Sequence, residues 1–295
     1  MIFPPPISVG RVGQARPDRL SFSTVPLSKL SGVLSSSVEL FFVIALLLWL
    51  PLFAAPQTPT LTIAAAADLI GVEQPLTRSF ERAYSDITVR FTTAASGVLK
   101  QQIENGAPYD IFLSANARYL DDLVQKGAIL KDSAVDYAQG EIGVVWRDGV
   151  AHQVQDLAAP AVQFLALPNP KLAPYGVAAR QALTRIGLWS SVQSKIVYGE
   201  NVQQTWQLFE SGNADVVITS WSILYNRRGS LLDPSLYAPI TQRGGIVAST
   251  TNLQQARKFM IFLTGPDGAS ILASHGLRAA PLKRKPIPAR RIGPG

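Results

Sequence analysis

Five places along the chain set a small or polar residue where an apolar run gives way to a helical pattern: Ala67–Asp68, Ala95–Ser96–Gly97, Pro174–Tyr175–Gly176, Asn201–Val202 and Thr219–Ser220. The chemistry such junctions offer is anion recognition. A helix N-terminus leaves backbone N–H groups unpaired and carries the positive end of the helix dipole. In open α/β sheets, ligands bind beyond the carboxyl ends of the strands. One junction alone is an ordinary cap or turn; five of them, spread over two halves of a chain, argue for a shared cleft.

Other chemistries lack material. The chain has no cysteine, which excludes a disulfide scaffold, a thiolate zinc site, an iron–sulfur cluster, a cysteine nucleophile and a lipid-bearing cysteine. His152 and His275 are the only imidazoles, so neither a metal centre nor a histidine-based triad is expected. Asp110, Asp121, Asp122 and Asp215 do not pair as an acid/base couple, and no GxSxG elbow is present. No catalytic residue and no cofactor is therefore expected. A serine–lysine hydrolase remains the competing enzymatic class.

The elements that must position the junctions follow from periodicity. The run 61–67 (LTIAAAA) suits a strand buried on both faces, and Asp68 then caps a helical pattern over 69–84, where Pro75 should kink the helix or delay its start. Residues 86–94 and 109–115 read as further strands, with helices opening at Ser96 and around Leu120. This βαβαβα rhythm implies an α/β domain with a mostly parallel sheet. The rhythm restarts after Gly140, with strands at 141–146, 162–167, 195–199, 214–220 and 244–249 and helices at 177–186, 202–210 and 253–263. Two α/β lobes are expected: 56–140 plus 243–282 as the first, 141–242 as the second.

The net charge of +7 belongs to the ends of the chain. Residues 1–55 carry net +2 and the tail 283–295 carries +5, leaving the body with 18 basic and 18 acidic residues. A neutral body has no electrostatic footprint for nucleic acid, and the basic, proline-containing tail reads as disordered. Residues 40–50 (LFFVIALLLWL) are apolar and uncharged, follow a basic arm and precede Ala54–Ala55. That pattern describes a secretory signal, cleaved near Ala55, and the run is short for a span of roughly 20 residues.

Together, IAAAADL (63–69), TTAASG (92–97), QIENGAPYDIFLSAN (102–116), NPKLAPYG (169–176) and ENVQQ (200–204) give the chain a resemblance to the molybdate-binding proteins of bacterial ABC transporters, covering nearly all of 60–282. The resemblance implies a type II periplasmic-binding-protein fold whose two lobes close on a small inorganic oxyanion, molybdate or tungstate. It further implies a monomeric periplasmic receptor, without enzyme activity, that delivers its ligand to an inner-membrane permease and its ATPase. A receptor for phosphate or sulfate is the alternative within the same class. Carried over position by position, the ligand-binding residues are Ala67, Asp68, Ser96, Tyr175 and Val202. Ser220 stands where the family has a tyrosine, and Asp68 where it has a neutral hydroxyl or amide.

Asp68 is the departure with physical consequences. Molybdate is a dianion without a proton, and two like charges at about 4 Å repel by roughly 4 kcal/mol at an effective dielectric near 20, nearly three decades of affinity. Either the carboxylate turns back to cap the helix and offers the ligand only its backbone N–H, or the ligand brings a proton. The first is the expectation here, because Asp is a common N-cap.

Overall fold

The computed structural model describes residues 58–150 and 152–280; the arm with the apolar run, the expected cleavage region and the basic tail lie outside them. Strand β1 (Thr60–Ala66) lies between β2 (Thr88–Ala94) and β3 (Ile111–Ser114), parallel to both. Leu61, Ile63, Ala64 and Ala65 are fully buried, as a strand covered on both faces requires. The connecting helices are α1 (Glu73–Ala83), α2 (Ser96–Glu104) and α3 (Ala117–Gln125). Helix α1 starts four residues later than the apolar pattern suggests. Pro75 explains the delay: it falls in the first turn, where its missing N–H has no intrahelical bond to lose.

Strand β4 (Val135–Gly140) ends the first run, and β5 (Ile142–Trp146) already belongs to a different sheet. The second sheet contains β6 (Leu165–Pro168), β7 (Ile196–Gly199), β8 (Val216–Ser220) and β9 (Ser230–Leu231), in the order β7-β6-β8-β5-β9. Its helices are α4 (Pro174–Arg185), α5 (Trp189–Val192), α6 (Val202–Glu210) and α7 (Trp221–Leu224). Strand β6 begins later than expected because the backbone N–H groups of Gln163 and Phe164 donate to the Asp215 carboxylate instead of to a neighbouring strand.

The chain then returns. Strand β10 (Ile240–Ile246) inserts between β3 and β4, antiparallel to both, and is followed by α8 (Leu253–Thr264), α9 (Pro266–Ala273) and β11 (Arg278–Ala279), which pairs with β4. The six-stranded order is β11-β4-β10-β3-β1-β2. A boundary at residue 243 thus falls inside β10, whose pairing with β4 begins at Ile240 opposite Gly140. The polar Gln242, fully buried, hides this strand from an apolar pattern.

Two apolar cores, one around Phe80 and Phe259 and one around Leu99 and Leu120, flank the first sheet. The core of the second sheet also takes in Ala66, Ala67 and Ala115 from the first. Among the described residues no helix is long and apolar enough to cross a membrane.

Candidate functional site

Where the ends of β1, β2 and β3 face α4 and α6, a cavity of about 10 Å³ is lined by Ala66, Ala67, Asp68, Ala95, Ser96, Ala115, Ala173, Pro174, Tyr175, Asn201 and Val202. Four of the five junctions singled out in the sequence meet there. Its volume is room for about one water, so the lobes must part to admit a larger body. Among the described residues no lysine or arginine lines it.

Each junction contributes for a local reason. Ser96 is the first residue of α2, behind an Ala95 that has no side chain with which to cap the helix. Its hydroxyl oxygen accepts from Ala115 N–H at 3.0 Å, which leaves the hydroxyl proton to donate. Tyr175 follows Pro174, and proline in the first turn of α4 sacrifices no bond. Asn201 caps α6 by accepting from Gln204 N–H at 2.9 Å, placing Val202 as the first helical residue. The small side chains of Ala66, Ala67, Ala95 and Ala115 let backbone approach the cavity.

The contacts of Asp68 overturn the expected helix cap. The residue sits in a 3₁₀ turn (Ala67–Leu69), and the cap position of α1 is Val72. The carboxylate instead faces a tyrosine of the other lobe and a glutamine of its own sheet: Oδ2 accepts from the Tyr175 hydroxyl at 2.7 Å and from Gln242 Nε2 at 2.8 Å. Gln242 also donates to the Tyr175 oxygen at 2.9 Å and accepts from the Tyr137 hydroxyl at 3.0 Å. The Ser222 hydroxyl donates to the Asp68 carbonyl oxygen at 2.7 Å. Asp68 Oδ1 is buried and has no hydrogen-bond partner among the described residues. Burial pushes the carboxyl up to about 7, against the opposing pull of the Tyr175 hydroxyl, its own backbone N–H and the Gln242 amide. The same burial raises the Tyr175 and Tyr137 phenols well above their ordinary value, so both stay neutral.

Ser220 is not among the cavity-lining residues. It ends β8 with its hydroxyl 2.8 Å from that of Ser222 and within hydrogen-bonding reach of Tyr175. Conversely, Gln242, Tyr137 and Ser222 carried no signal in the sequence, since each joins the site from a remote element. The lobes also meet where Gly97 N–H donates to the Leu172 carbonyl at 3.1 Å; a Cβ on Gly97 would lie 2.9 Å from that oxygen. Among the described residues no group of three His, Asp or Glu could hold a metal ion.

A model of the bacterial extracellular solute-binding proteins matches residues 61–278, spanning both sheets and every lining residue of the cavity. The chain belongs to that family. As a solute-binding protein it is similar to the molybdate-binding protein ModA of Azotobacter vinelandii, 30% identical over 235 residues, with 76% of this chain and 92% of that protein covered. It is also similar to a putative ABC transporter substrate-binding lipoprotein, YvgL, of Bacillus subtilis, 29% identical over 225 residues, covering 75% of this chain and 86% of the other. The solved periplasmic molybdate-binding protein of Azotobacter vinelandii superposes with a TM-score of 0.71 at 28% identity, covering 75% of this chain and all of that one. The sulfate-binding protein SubI of Mycobacterium tuberculosis superposes at 0.65 with 16% identity, covering 75% and 87%, and shows the shared fold alone. The two-sheet architecture of this solute-binding protein is the type II periplasmic-binding-protein fold.

Proposed function

We propose that this solute-binding protein is an extracytoplasmic receptor for molybdate or tungstate, held between the lobes and handed to an ABC permease with its ATPase. The observation that carries the reading is the cavity itself: it is small, buried, and lined by a serine hydroxyl and helix N-termini, with no cationic side chain among the described residues. Such a site compensates a compact dianion with preorganised dipoles, each helix terminus contributing about 0.3–1 kcal/mol, and up to ~2 in partly buried geometry. Charge-assisted hydrogen bonds add about 1.5–3 kcal/mol each. In this reading the ligand is held by the Ser96 hydroxyl and by backbone N–H groups near Ala67, Asp68, Ser96, Tyr175 and Val202, with Ser220 supporting Tyr175. The ModA relatives support the choice of oxyanion.

The receptor acts as a monomer, without cofactor or catalysis, after cleavage of the signal near Ala55; its N-terminus should fall between residues 54 and 60. Calorimetric titration against molybdate, tungstate, sulfate and phosphate tests the reading. Tight binding of the first two, weak binding of the others and no turnover of simple esters are expected. Preference for sulfate or phosphate would move the receptor to another oxyanion.

A further inference from the structure

We propose that Asp68 sets the site's specificity as a neutral carboxylic acid, donating from Oδ1 to one oxygen of a fully deprotonated oxyanion, so that binding takes up a proton from solvent. This rests on the reading of the cavity as the oxyanion site. The two carboxyl oxygens are unlike. Oδ2 already accepts from Tyr175 and Gln242, whereas Oδ1 is buried, belongs to a cavity-lining residue and has no partner among the described residues. A carboxylate has no proton to give, and an orphaned buried acceptor facing a dianion would be penalised twice, by desolvation and by repulsion. Protonation on Oδ1 removes both penalties and converts the orphan into a donor.

The surroundings favour the neutral form. Tyr175 from α4, Tyr137 from β4, Gln242 from β10 and Ser222 from α7 meet Asp68 or its partners, and none carries charge at neutral pH. Of the elements packed on the 67–69 turn, β2 carries Arg90 four residues before its cavity end, and α6 carries Glu210 at its far end; α7 has no ionisable residue. Nearer the start of α1, Glu73 is itself pushed up by burial, so it too resists charge. Among the described residues no cation is placed to hold Asp68 ionised against the ligand, and an arriving dianion pushes the carboxyl further in the direction burial has already taken it. An asparagine would reproduce the arrangement without a proton: its oxygen accepts from Tyr175 and Gln242, and its amide donates where Oδ1–H did.

The test is calorimetric titration of the purified protein with molybdate from pH 6 to 9, in buffers of differing ionisation enthalpy. The ligand carries no proton across this range. Uptake approaching one proton per ligand is expected at pH 8, with affinity falling by up to about tenfold per pH unit above pH 7. Asp68→Asn, with folding verified by its thermal transition, should bind without proton uptake, with affinity flat across the range and equal to or tighter than wild type at pH 8. Tight wild-type binding with no proton uptake overturns the proposal, as does uptake that survives in Asp68→Asn. Loss of molybdate binding in a folded Asp68→Asn protein also overturns it, because the amide should supply the donor that the neutral acid did. If neither molybdate nor tungstate binds at any pH, the receptor reading fails together with this one.

Discussion

A Cβ added to Gly140 would fall 2.1 Å from the Tyr175 hydroxyl and 3.1 Å from Gln242 Nε2. The last residue of β4 therefore has no side chain so that a tyrosine from the other lobe can reach Asp68. Gly140→Ala should displace the phenol and break the Tyr175–Asp68 and Tyr175–Gln242 bonds together. We expect molybdate affinity to fall at least tenfold while the far-ultraviolet circular dichroism is retained. Tyr175→Phe should also weaken binding, and the double variant should lose less than the sum of the two, because both changes act on one hydroxyl. Additive losses in calorimetry would show that Gly140 acts elsewhere.

Ser96→Ala removes a donor to the ligand and an acceptor from the protein. Loss of one charge-assisted hydrogen bond should weaken molybdate by roughly one to two decades. The Ala115 N–H, which now donates to Ser96 Oγ, would be left buried and unpaired, at a cost of about 1–3 kcal/mol in the ligand-free protein. Calorimetry and urea unfolding read the two effects separately. A change in affinity without any loss of stability would mean that the Ala115 N–H finds another acceptor.

The ligand-free protein should show the Asp68 carboxyl in its pH dependence. Its folded value is raised from 3.8 to about 7, so the native state keeps a proton that the unfolded chain has released. Stability from this group is fully present below the unfolded value and is lost as pH rises through about 7. The limiting loss is roughly 4 kcal/mol, taken as the shift multiplied by about 1.36 kcal/mol per unit. Asp68→Asn removes the slope, so the difference in Tm between variant and wild type should widen from pH 4 to pH 8 in the variant's favour. A constant difference would show that the carboxyl titrates at an ordinary value.

The lobe arrangement leads to a further expectation. Tyr175–Asp68, Ser222–Asp68 and Gly97–Leu172 bridge elements of the two sheets, and the chain crosses between those sheets at Gly140–Ile142 and again between β9 and β10. Two crossings suit hinge closure, with the Tyr175–Asp68 bond lying beside the crossing at Gly140. Small-angle scattering should show a smaller radius of gyration with saturating molybdate. An unchanged radius alongside tight binding would mean that the lobes are already closed without ligand.

Local pattern was informative wherever a residue's role depends on its neighbours in sequence. The buried β1, the restart of the rhythm after Gly140 and the strand–helix junctions follow from apolar period and turn residues, and Ala67, Asp68, Ser96, Tyr175 and Val202 do line one cavity. Asp68 was misread because its partners are distant: Tyr175 is 107 residues away and Gln242 174. A carboxylate before an apolar run looks like a cap until Pro75 forces the helix to start later. Gln242 and Tyr137, 105 residues apart, are a buried polar pair that no period reveals. Ser220 looks like a lining residue because it ends a strand, but its hydroxyl is directed to Ser222.

The position of β10 also sets an order on synthesis. Strands β5 to β9 and their helices form a contiguous stretch that can pair as soon as it is made, whereas β3 and β4 are bridged only by β10, and β4 gains its outer neighbour only with β11. Such long-range pairing is slow because loop closure must precede the contacts that reward it. Half of the receptor therefore stays unfinished until residues 240–279 have emerged. In this member of an extracellular solute-binding family, the sheet begun first is therefore the one completed last.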